Sequence, residues 1–438
     1  MHTFSYHDTH LYCESTSLAK LAEDVGTPCY VYSEDTIRRN FQQLTEALSG
    51  LDHRICYAMK ANSNLAILRL MHNLGGAFDL VSGGEIERVL AAGGSIEKSV
   101  FAGVGKTDSE ISLALEHGIY SFHVESEPEL ERINRIAGER GVKAPVALRI
   151  NPDVDAQTHA KITTGKSDNK FGIPYDHALD AYAYARDLPN LKIIGVQMHI
   201  GSQITKIDPF VAAVKRMRPM VQKLKEKHAL EYFSIGGGIG IIYDPALESG
   251  AASWWEDEGA DLLTPRRYGE ALVPLLKDLG LAIFIEPGRF MTGNAGALLT
   301  RVEYVKTGKA KKFVIVDAAM NDLARPSMYD AYHQIVPVEN TPEEDNGPSS
   351  ITADGVGPVC ESGDCFAKAR EMKPVKEGDL LAILSAGAYG FVMAGRYNTR
   401  ALPAEVLVSG KNFSVINNRE TFAQIIANEN IPEYLRSS

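Results

Sequence analysis

The stretch RICYAMKANSNLAILRLMHNLGGAFDLVSGGEIERVLAAGG, residues 54–94, contains one pattern twice. Each copy opens with a short apolar or β-branched run, 54–59 and 77–81, that ends in polar residues: Lys60 in the first, Ser82-Gly83-Gly84-Glu85 in the second. An amphipathic stretch of helical period follows each, 65–74 and 85–92. Working outward, further strand-like runs at 99–102, 121–124, 145–150, 193–200, 232–235 and 282–285 alternate with helical stretches at 110–117, 127–140, 177–188, 209–228 and 265–279. Short apolar strands alternating with helices mean βα units and a parallel sheet. About eight units in about 250 residues is the arithmetic of a (β/α)₈ barrel. A doubly wound open sheet uses the same alternation, more often with fewer strands. The reading is therefore an α/β chain whose residues 36–290 form a TIM-type barrel.

After Arg301 the pattern changes. Runs at 301–307, 312–317, 380–384, 404–408 and 412–416 read as strands with few helices between them. This predicts a second, β-rich domain of barrel or sandwich type over 291–438. Residues 1–35 join it, because 28–32 also reads as a strand. Residues 341–350, TPEEDNGPSS, read as a polar surface loop or lid. An acidic, aromatic insertion surrounds Trp254, and its Glu256-Asp257-Glu258 run reads as a solvated face.

Composition narrows the function. The chain has 438 residues, 45% of them hydrophobic and 23% charged, within the range of ordinary soluble domains and too long for one small core. Its net charge of −11 argues against a nucleic-acid binder, which needs clustered Lys and Arg to displace counterions. The longest uncharged stretch, 380–395, falls short of the roughly 20 apolar residues of a membrane span. The five cysteines form no CxxC pair, so neither a disulfide framework nor a metal site is indicated. The N-terminus MHTFSYHDTH lacks the basic and apolar regions of a secretion signal. His2, His7 and His10 read as a loose terminus rather than a metal site. The expectation is a cytoplasmic protein with free thiols.

In a barrel enzyme, chemistry sits at the C-terminal ends of the strands. Here those ends carry Lys60; Asp79 followed by 82–85; Arg149 followed by Asn151; His199 followed by Gly201-Ser202-Gln203; Gly236-Gly237-Gly238; and Glu286-Pro287-Gly288-Arg289. Each has a plain structural reading alone. Lys60 could snorkel at the surface, the glycines could be a tight turn or a phosphate nest, His199 could be a hydrogen-bonded structural residue, and Glu286 could pair with Arg289. Together they match one chemistry. A lysine amine forms a Schiff base with a carbonyl cofactor, and burial makes it a better nucleophile. A glycine-rich turn late in a barrel is a common phosphate site. A carboxylate facing a pyridine nitrogen keeps that nitrogen protonated. These are the requirements of pyridoxal 5′-phosphate.

The second domain adds Cys360-Glu361-Ser362-Gly363-Asp364 after GVGPV. A buried cysteine is usually inert, but one in a Gly/Pro loop beside carboxylates suits a general acid better than a nucleophile. Arg325 and Tyr329 in ARPSMYDAYH, and Tyr389 in GAYG, are loop-borne groups of the kind that bind carboxylate or phosphate.

In order along the chain, YAMKAN, GGAFDLVSGGE, HIGSQ, GGGIG, EPGR, ARPSMYDAYH, CESGD and GAYG resemble the motif series of the diaminopimelate decarboxylases, in the alanine-racemase-like group of ornithine, arginine and diaminopimelate decarboxylases. The resemblance runs from about Thr27 to about Val408. It implies pyridoxal-phosphate-dependent decarboxylation of meso-diaminopimelate to L-lysine, at the D-centre, by a homodimer with shared active sites. It implies that Lys60 carries the cofactor as a Schiff base, with Asp79 in the cofactor site, His199 against the ring and Ser202 close to the phosphate. Gly236, Gly237 and Gly238 cradle the phosphate, Gly288 is in the cofactor site, and Glu286 pairs with the ring nitrogen. Arg289, in the cofactor site too, binds substrate with Arg325 and Tyr329, while Tyr389 touches phosphate and substrate. From the partner subunit, Cys360 donates a proton and Glu361 takes the distal ammonium. Glu rather than Asp after the cysteine favours diaminopimelate over ornithine. A carboxynorspermidine decarboxylase, or one for another basic amino acid, is the nearest alternative. A racemase of the same fold would need a second base, usually tyrosine, in place of the Cys360-Glu361 pair.

Overall fold

Eight short parallel strands close on themselves in one unit of the chain: β1 His53–Ala58, β2 Ala77–Leu80, β3 Val100–Phe101, β4 Ser121–Val124, β5 Ala144–Asn151, β6 Leu191–Gln197, β7 Tyr232–Ser234 and β8 Ala282–Ile285. Each pairs with the next, and β8 returns to β1 through Ile283↔His53. The computed structural model describes residues 2–155, 170–259, 261–340 and 349–436; most of the predicted 341–350 loop lies outside them. Every barrel strand read from the sequence is present, with ends shifted by a few residues.

Local chemistry starts the helices. Ser82, Thr107, Ser126 and Thr264 each accept a backbone N–H from the first turn that follows, and Thr107 with Glu110 forms a reciprocal capping box. Strand alternation sends Cys56, Ala77, Val100, Ala147, Ile194, Tyr232 and Phe284 into one buried cluster. The Arg54 guanidinium lies over the Tyr120 and Phe284 rings at 4.2 and 4.4 Å. The barrel interior is thus filled, which leaves the polar strand ends as the place for chemistry.

This barrel unit comprises Thr36–Ile241 and Ala252–Gly293; the other unit comprises Met1–Asp35, Ile242–Ala251 and Asn294–Ser438. Residues 242–251, read as barrel, belong to the β-rich unit. Ala246 sits in that unit's core, its carbonyl meets His2 Nε2 at 2.7 Å, and Leu247 N donates to Gln334 Oε1. The main β-rich sheet runs Cys365–Met372, Ile351–Val356, Lys312–Val316, Gly296–Thr307, Cys29–Ser33, Ala404–Ser409, Asn412–Asn417, and Leu380–Ile383 pairs with both Gly296–Thr307 and Ile335–Pro337.

The loose histidine-bearing terminus is also corrected. Phe4–His7 and His10–Cys13 pair antiparallel, because Phe4 and Leu11 drop into the core at 2% and 0% exposure. Period-two burial is hard to read where the outward residues include so many rings. The strand Cys365–Met372 escaped notice for another reason: it is a sheet edge, where Lys368, Arg370 and Glu371 are tolerated. Trp254 and Trp255 lie on a short helix, Ala252–Asp257, edge to face at 5.0 Å, and residues 256–258 are exposed as read. Among the described residues no helix is long and apolar enough to cross a membrane.

Candidate active site

Lys60 sits in a single 3₁₀ turn, Met59–Ala61, directly after β1. Ala58 is opposite Asp79 in the β1–β2 register, which brings Lys60 Nζ to 2.6 Å from Asp79 Oδ2. The lysine side chain is 42% exposed and Asp79 only 2%. The burial invoked to activate Lys60 is therefore absent; what the fold provides is an amine anchored on Asp79 by a partly exposed side chain.

Glu286 follows β8 and is buried. Its Oε1 accepts from Ser234 Oγ at 2.5 Å, and its Oε2 accepts from Gln197 Nε2 at 3.1 Å. Burial, reinforced by the negative charge of Asp79, pushes its carboxyl up to about 7, against the lowering effects of Ser234, Lys60 and Gln197. A carboxyl whose folded pKa is raised above its unfolded value contributes most at low pH and loses that contribution as pH rises through about 7. Ionised Glu286 thus lacks sufficient positive charge, and a cation set against it would remove the penalty. A protonated pyridine nitrogen meets that requirement.

The glycine run after β7 resolves into two functions. Gly236 N donates to Ser234 Oγ and Gly237 N to His199 Nδ1, both at 3.2 Å. Among the described residues, the N–H groups of Gly238 and Ile239 have no protein acceptor and are the ones available to a phosphate. A Cβ on Gly237 would lie 2.1 Å from the Glu286 carbonyl oxygen. The tight turn is what presents these two N–H groups. We expect Gly237→Ala to fold with a melting temperature lower by several degrees and to bind the cofactor at least about tenfold more weakly, since overpacking of this kind costs about 1–3 kcal/mol. Wild-type affinity in a titration would mean that the turn tolerates displacement.

His199, half-buried, accepts the Gly237 N–H on Nδ1, so its neutral ring carries the proton on Nε2. Burial and the charges of Arg149 and Lys60 hold it well below the usual imidazole range. A neutral ring can lie against an aromatic cofactor without adding charge. Arg289, buried, reaches Ser202 Oγ at 3.4 Å, and the Gly288 that precedes it abuts Ala58 and Ala61. Lys60, Asp79, His199, Ser202, 236–238, Glu286, Gly288 and Arg289 all belong to the barrel unit.

The sequence reading missed the layer beneath. Gln197, Ser234 and His123 are buried and point at Glu286. Gln197 and Ser234 each stand two residues before a singled-out strand-end residue, so period two could have found them. Arg149, noted at its strand end, pairs with Glu125 at 3.0 Å, and buried Lys106 pairs with Glu129 at 2.5 Å.

The remaining residues belong to the β-rich unit. Arg325 donates to Tyr243 Oη at 2.8 Å and lies 3.1 Å from His333 Nε2, while His333 Nδ1 meets the Leu384 carbonyl. Arg325 and Tyr329 share one face of a short helix, Arg325–Tyr329. Tyr389 holds a left-handed φ of +56°, an uncommon conformation for a bulky residue. Cys360 and Glu361 are exposed on a loop pinned by Asp364, whose carboxylate accepts Met320 N and Val359 N at 2.7 Å each. Asn398 Oδ1 accepts Cys360 N, and Tyr397 hydrogen-bonds the Glu361 carboxylate.

Residues 34–293 match the pyridoxal binding domain of pyridoxal-dependent decarboxylases. The diaminopimelate decarboxylase of Neisseria meningitidis serogroup B is 49% identical over 96% of this chain and 97% of its own length. That of Pseudomonas aeruginosa is 48% identical over 98% and 99%. Among solved structures, diaminopimelate decarboxylase from Helicobacter pylori complexed with L-lysine superposes with a TM-score of 0.85 at 38% identity, covering 94% of this chain and 98% of that one. The M. jannaschii enzyme superposes with a TM-score of 0.89 at 37% identity, covering 99% of both chains. Similarity of this extent, on a barrel whose strand ends bring together a lysine paired with an aspartate, a tight glycine turn and a buried glutamate, decides the assignment: the chain belongs to the diaminopimelate decarboxylase family of pyridoxal-dependent decarboxylases.

Proposed function

We propose that this enzyme decarboxylates meso-2,6-diaminopimelate to L-lysine and CO₂, the last step of lysine biosynthesis, in the cytoplasm and as a homodimer with shared active sites. The observation that carries the reading is Glu286, buried and held by Ser234 and Gln197 just after β8, the strand that pairs with the one ending at Lys60. Pyridoxal phosphate, when bound, supplies the electron sink that accepts the bonding pair left by loss of CO₂.

The chain's own residues do the rest. Lys60 attaches the cofactor and is held ready by Asp79. The turn of Gly236, Gly237 and Gly238, through the N–H groups of Gly238 and Ile239, would hold the phosphate with Ser202 and Tyr389, and Gly288 and Arg289 would line the cofactor site; His199 would lie against the ring, and Glu286 would keep the ring nitrogen protonated. Arg289, Arg325 and Tyr329 take the distal carboxylate, which ornithine and lysine lack, and a site with buried charge to pair rejects ligands that leave it unpaired. Arg325 is suited to this because Tyr243 and His333 fix its guanidinium. Cys360 of one subunit protonates the reacting carbon in its partner's site, and Glu361, oriented by Tyr397, takes the distal ammonium. The exposure of both residues supports a role outside their own chain's core. A free, exposed thiol acting as proton donor needs a reducing compartment.

The test is CO₂ release by purified protein with added pyridoxal phosphate, across meso-diaminopimelate, ornithine, arginine, lysine and carboxynorspermidine. We expect release from meso-diaminopimelate alone, with L-lysine as product. Release from carboxynorspermidine or a basic amino acid instead would keep the chemistry and overturn the roles given to Glu361 and the arginines.

A further inference from the structure

Beneath Glu286 lies a chain of buried polar groups for which the reaction so far has no use. His123, on β4, is fully buried; its Nε2 lies 3.0 Å from the Tyr232 hydroxyl, and its Nδ1 lies 3.4 Å from Glu286 Oε1. Tyr232, on β7, is equally buried. We infer that His123 is a positioning residue for Glu286: Tyr232 locks its imidazole in the tautomer that carries the proton on Nδ1, and that N–H holds the Glu286 carboxylate as an anion aimed at the cofactor's ring nitrogen. This rests on the reading of Glu286 as the ring nitrogen's partner.

The direction of the hydrogen bonds follows from who can donate. An ionised carboxylate can only accept, so the His123 nitrogen that faces Glu286 carries the proton and Nε2 is left to accept the Tyr232 phenol proton. An imidazole that accepts on Nε2 and is neutral must carry its proton on Nδ1. Neutrality is enforced from three sides. Burial is the largest cause, and the cations of Lys106, Arg149 and Lys60 add to it, holding His123 well below the usual imidazole range. The opposite tautomer would set the Nδ1 lone pair against the Glu286 carboxylate.

The geometry around the pair is built rather than incidental. The Tyr232 ring stacks on Phe284 with centroids 4.3 Å apart and planes 17° from parallel. It occupies space left by the missing side chain of Gly195, where a Cβ would lie 2.4 Å from the ring. Tyr232 therefore cannot swing away from His123 without disturbing the barrel core. Nδ1 has no other hydrogen-bond partner among the described residues, and a movement of about 0.4 Å would bring it to ordinary hydrogen-bond length. The carboxylate has room for that donor. Oε1 would hold Ser234 and His123, and Oε2 would hold Gln197 and keep one lone pair for the ring N–H. With His123 closed onto Oε1, three donors would fix where the carboxylate points and favour its ionised form. Without His123, the burial and the Asp79 charge that favour its protonated form act with less opposition, and a protonated Glu286 cannot hold the ring nitrogen as a cation.

The experiment uses enzyme loaded with pyridoxal phosphate carrying ¹⁵N in the ring, in wild type and in His123→Leu, His123→Asn, Tyr232→Phe and Glu286→Gln. The readouts are the ring-nitrogen chemical shift, which separates protonated from neutral pyridine, and kcat and KM for meso-diaminopimelate. Glu286→Gln should move the shift to the neutral value and lower kcat by about 10³-fold. His123→Leu should move the shift the same way and lower kcat about 10–100-fold, with KM changed less than about twofold, because the loss acts on the cofactor and not on substrate contacts. In His123→Asn the amide N–H replaces the Nδ1 donor, so the protonated-ring shift should return and kcat should come within about fivefold of wild type. Tyr232→Phe keeps the ring packing, removes the tautomer lock and should show an intermediate shift. A wild-type shift and kcat in both His123→Leu and Tyr232→Phe, with Glu286→Gln impaired, would overturn the role of His123 and leave that of Glu286 standing. A wild-type shift in Glu286→Gln would overturn both. If His123→Leu does not fold, Tyr232→Phe decides: an unchanged shift and kcat there refute the inference.

Discussion

We expect Lys60→Ala to abolish the visible absorbance of covalently held cofactor and to lower turnover by at least about 10⁴-fold, since it removes the nucleophile that carries it. The effect is chemical and not structural. The side chain is 42% exposed, so deleting it opens no cavity in the core. It does leave the buried Asp79 without its cation, which confuses a simple reading of the alanine variant. Lys60→Arg settles that point, because it restores a cation for Asp79 and has no amine able to form the Schiff base. Both variants should lose the band and the activity, while circular dichroism stays that of the folded enzyme. An unchanged visible spectrum in either would refute the assignment of Lys60.

The second large effect is on proton delivery. Cys360→Ala should bind the cofactor with wild-type absorbance and turn over about 10²–10⁴-fold more slowly, the usual scale for losing a general acid. Cys360 is exposed, and its loop is pinned through Asp364 and Asn398 rather than through the thiol, so the variant should fold normally. Near-normal turnover would remove Cys360 from the mechanism. The same variant tests the shared site. An equal mixture of Lys60→Ala and Cys360→Ala subunits, exchanged and reassembled, forms hybrid dimers in which one of two sites has both native residues. Random pairing then restores about a quarter of wild-type activity. No restoration, with exchange demonstrated, would mean that each subunit completes its own site.

Some of the predicted assembly depends on both effects together. Lys60 and Glu286 belong to the barrel unit, Cys360 and Arg325 to the β-rich unit, and the units are interleaved in sequence at four crossings. The two variants should leave different signatures: lost cofactor absorbance for Lys60, retained absorbance for Cys360.

The amino-acid sequence by itself determined the barrel, because the alternation of short apolar runs and amphipathic helices is a local signal, and it marked the strand-end residues, because polar and glycine residues interrupt each run at the same point. It also carried the ordered motifs that the family comparison bears out. Only the tertiary structure decided which of those residues act on one another. No spacing along the chain says that Asp79 anchors Lys60, that the glycines of 236–238 are required by the Glu286 and Gly201 carbonyls as well as by an anion, or that residues 242–251 leave the barrel for the other unit's core. The layer under Glu286 is the clearest case. Gln197, Ser234 and His123 come from three strands scattered over more than a hundred residues, and each looks in sequence like one polar interruption of an apolar run. Closing the sheet turns them toward one buried carboxylate, and it is desolvation there, a property of the closed barrel and not of any segment, that gives three ordinary donors control over a charge.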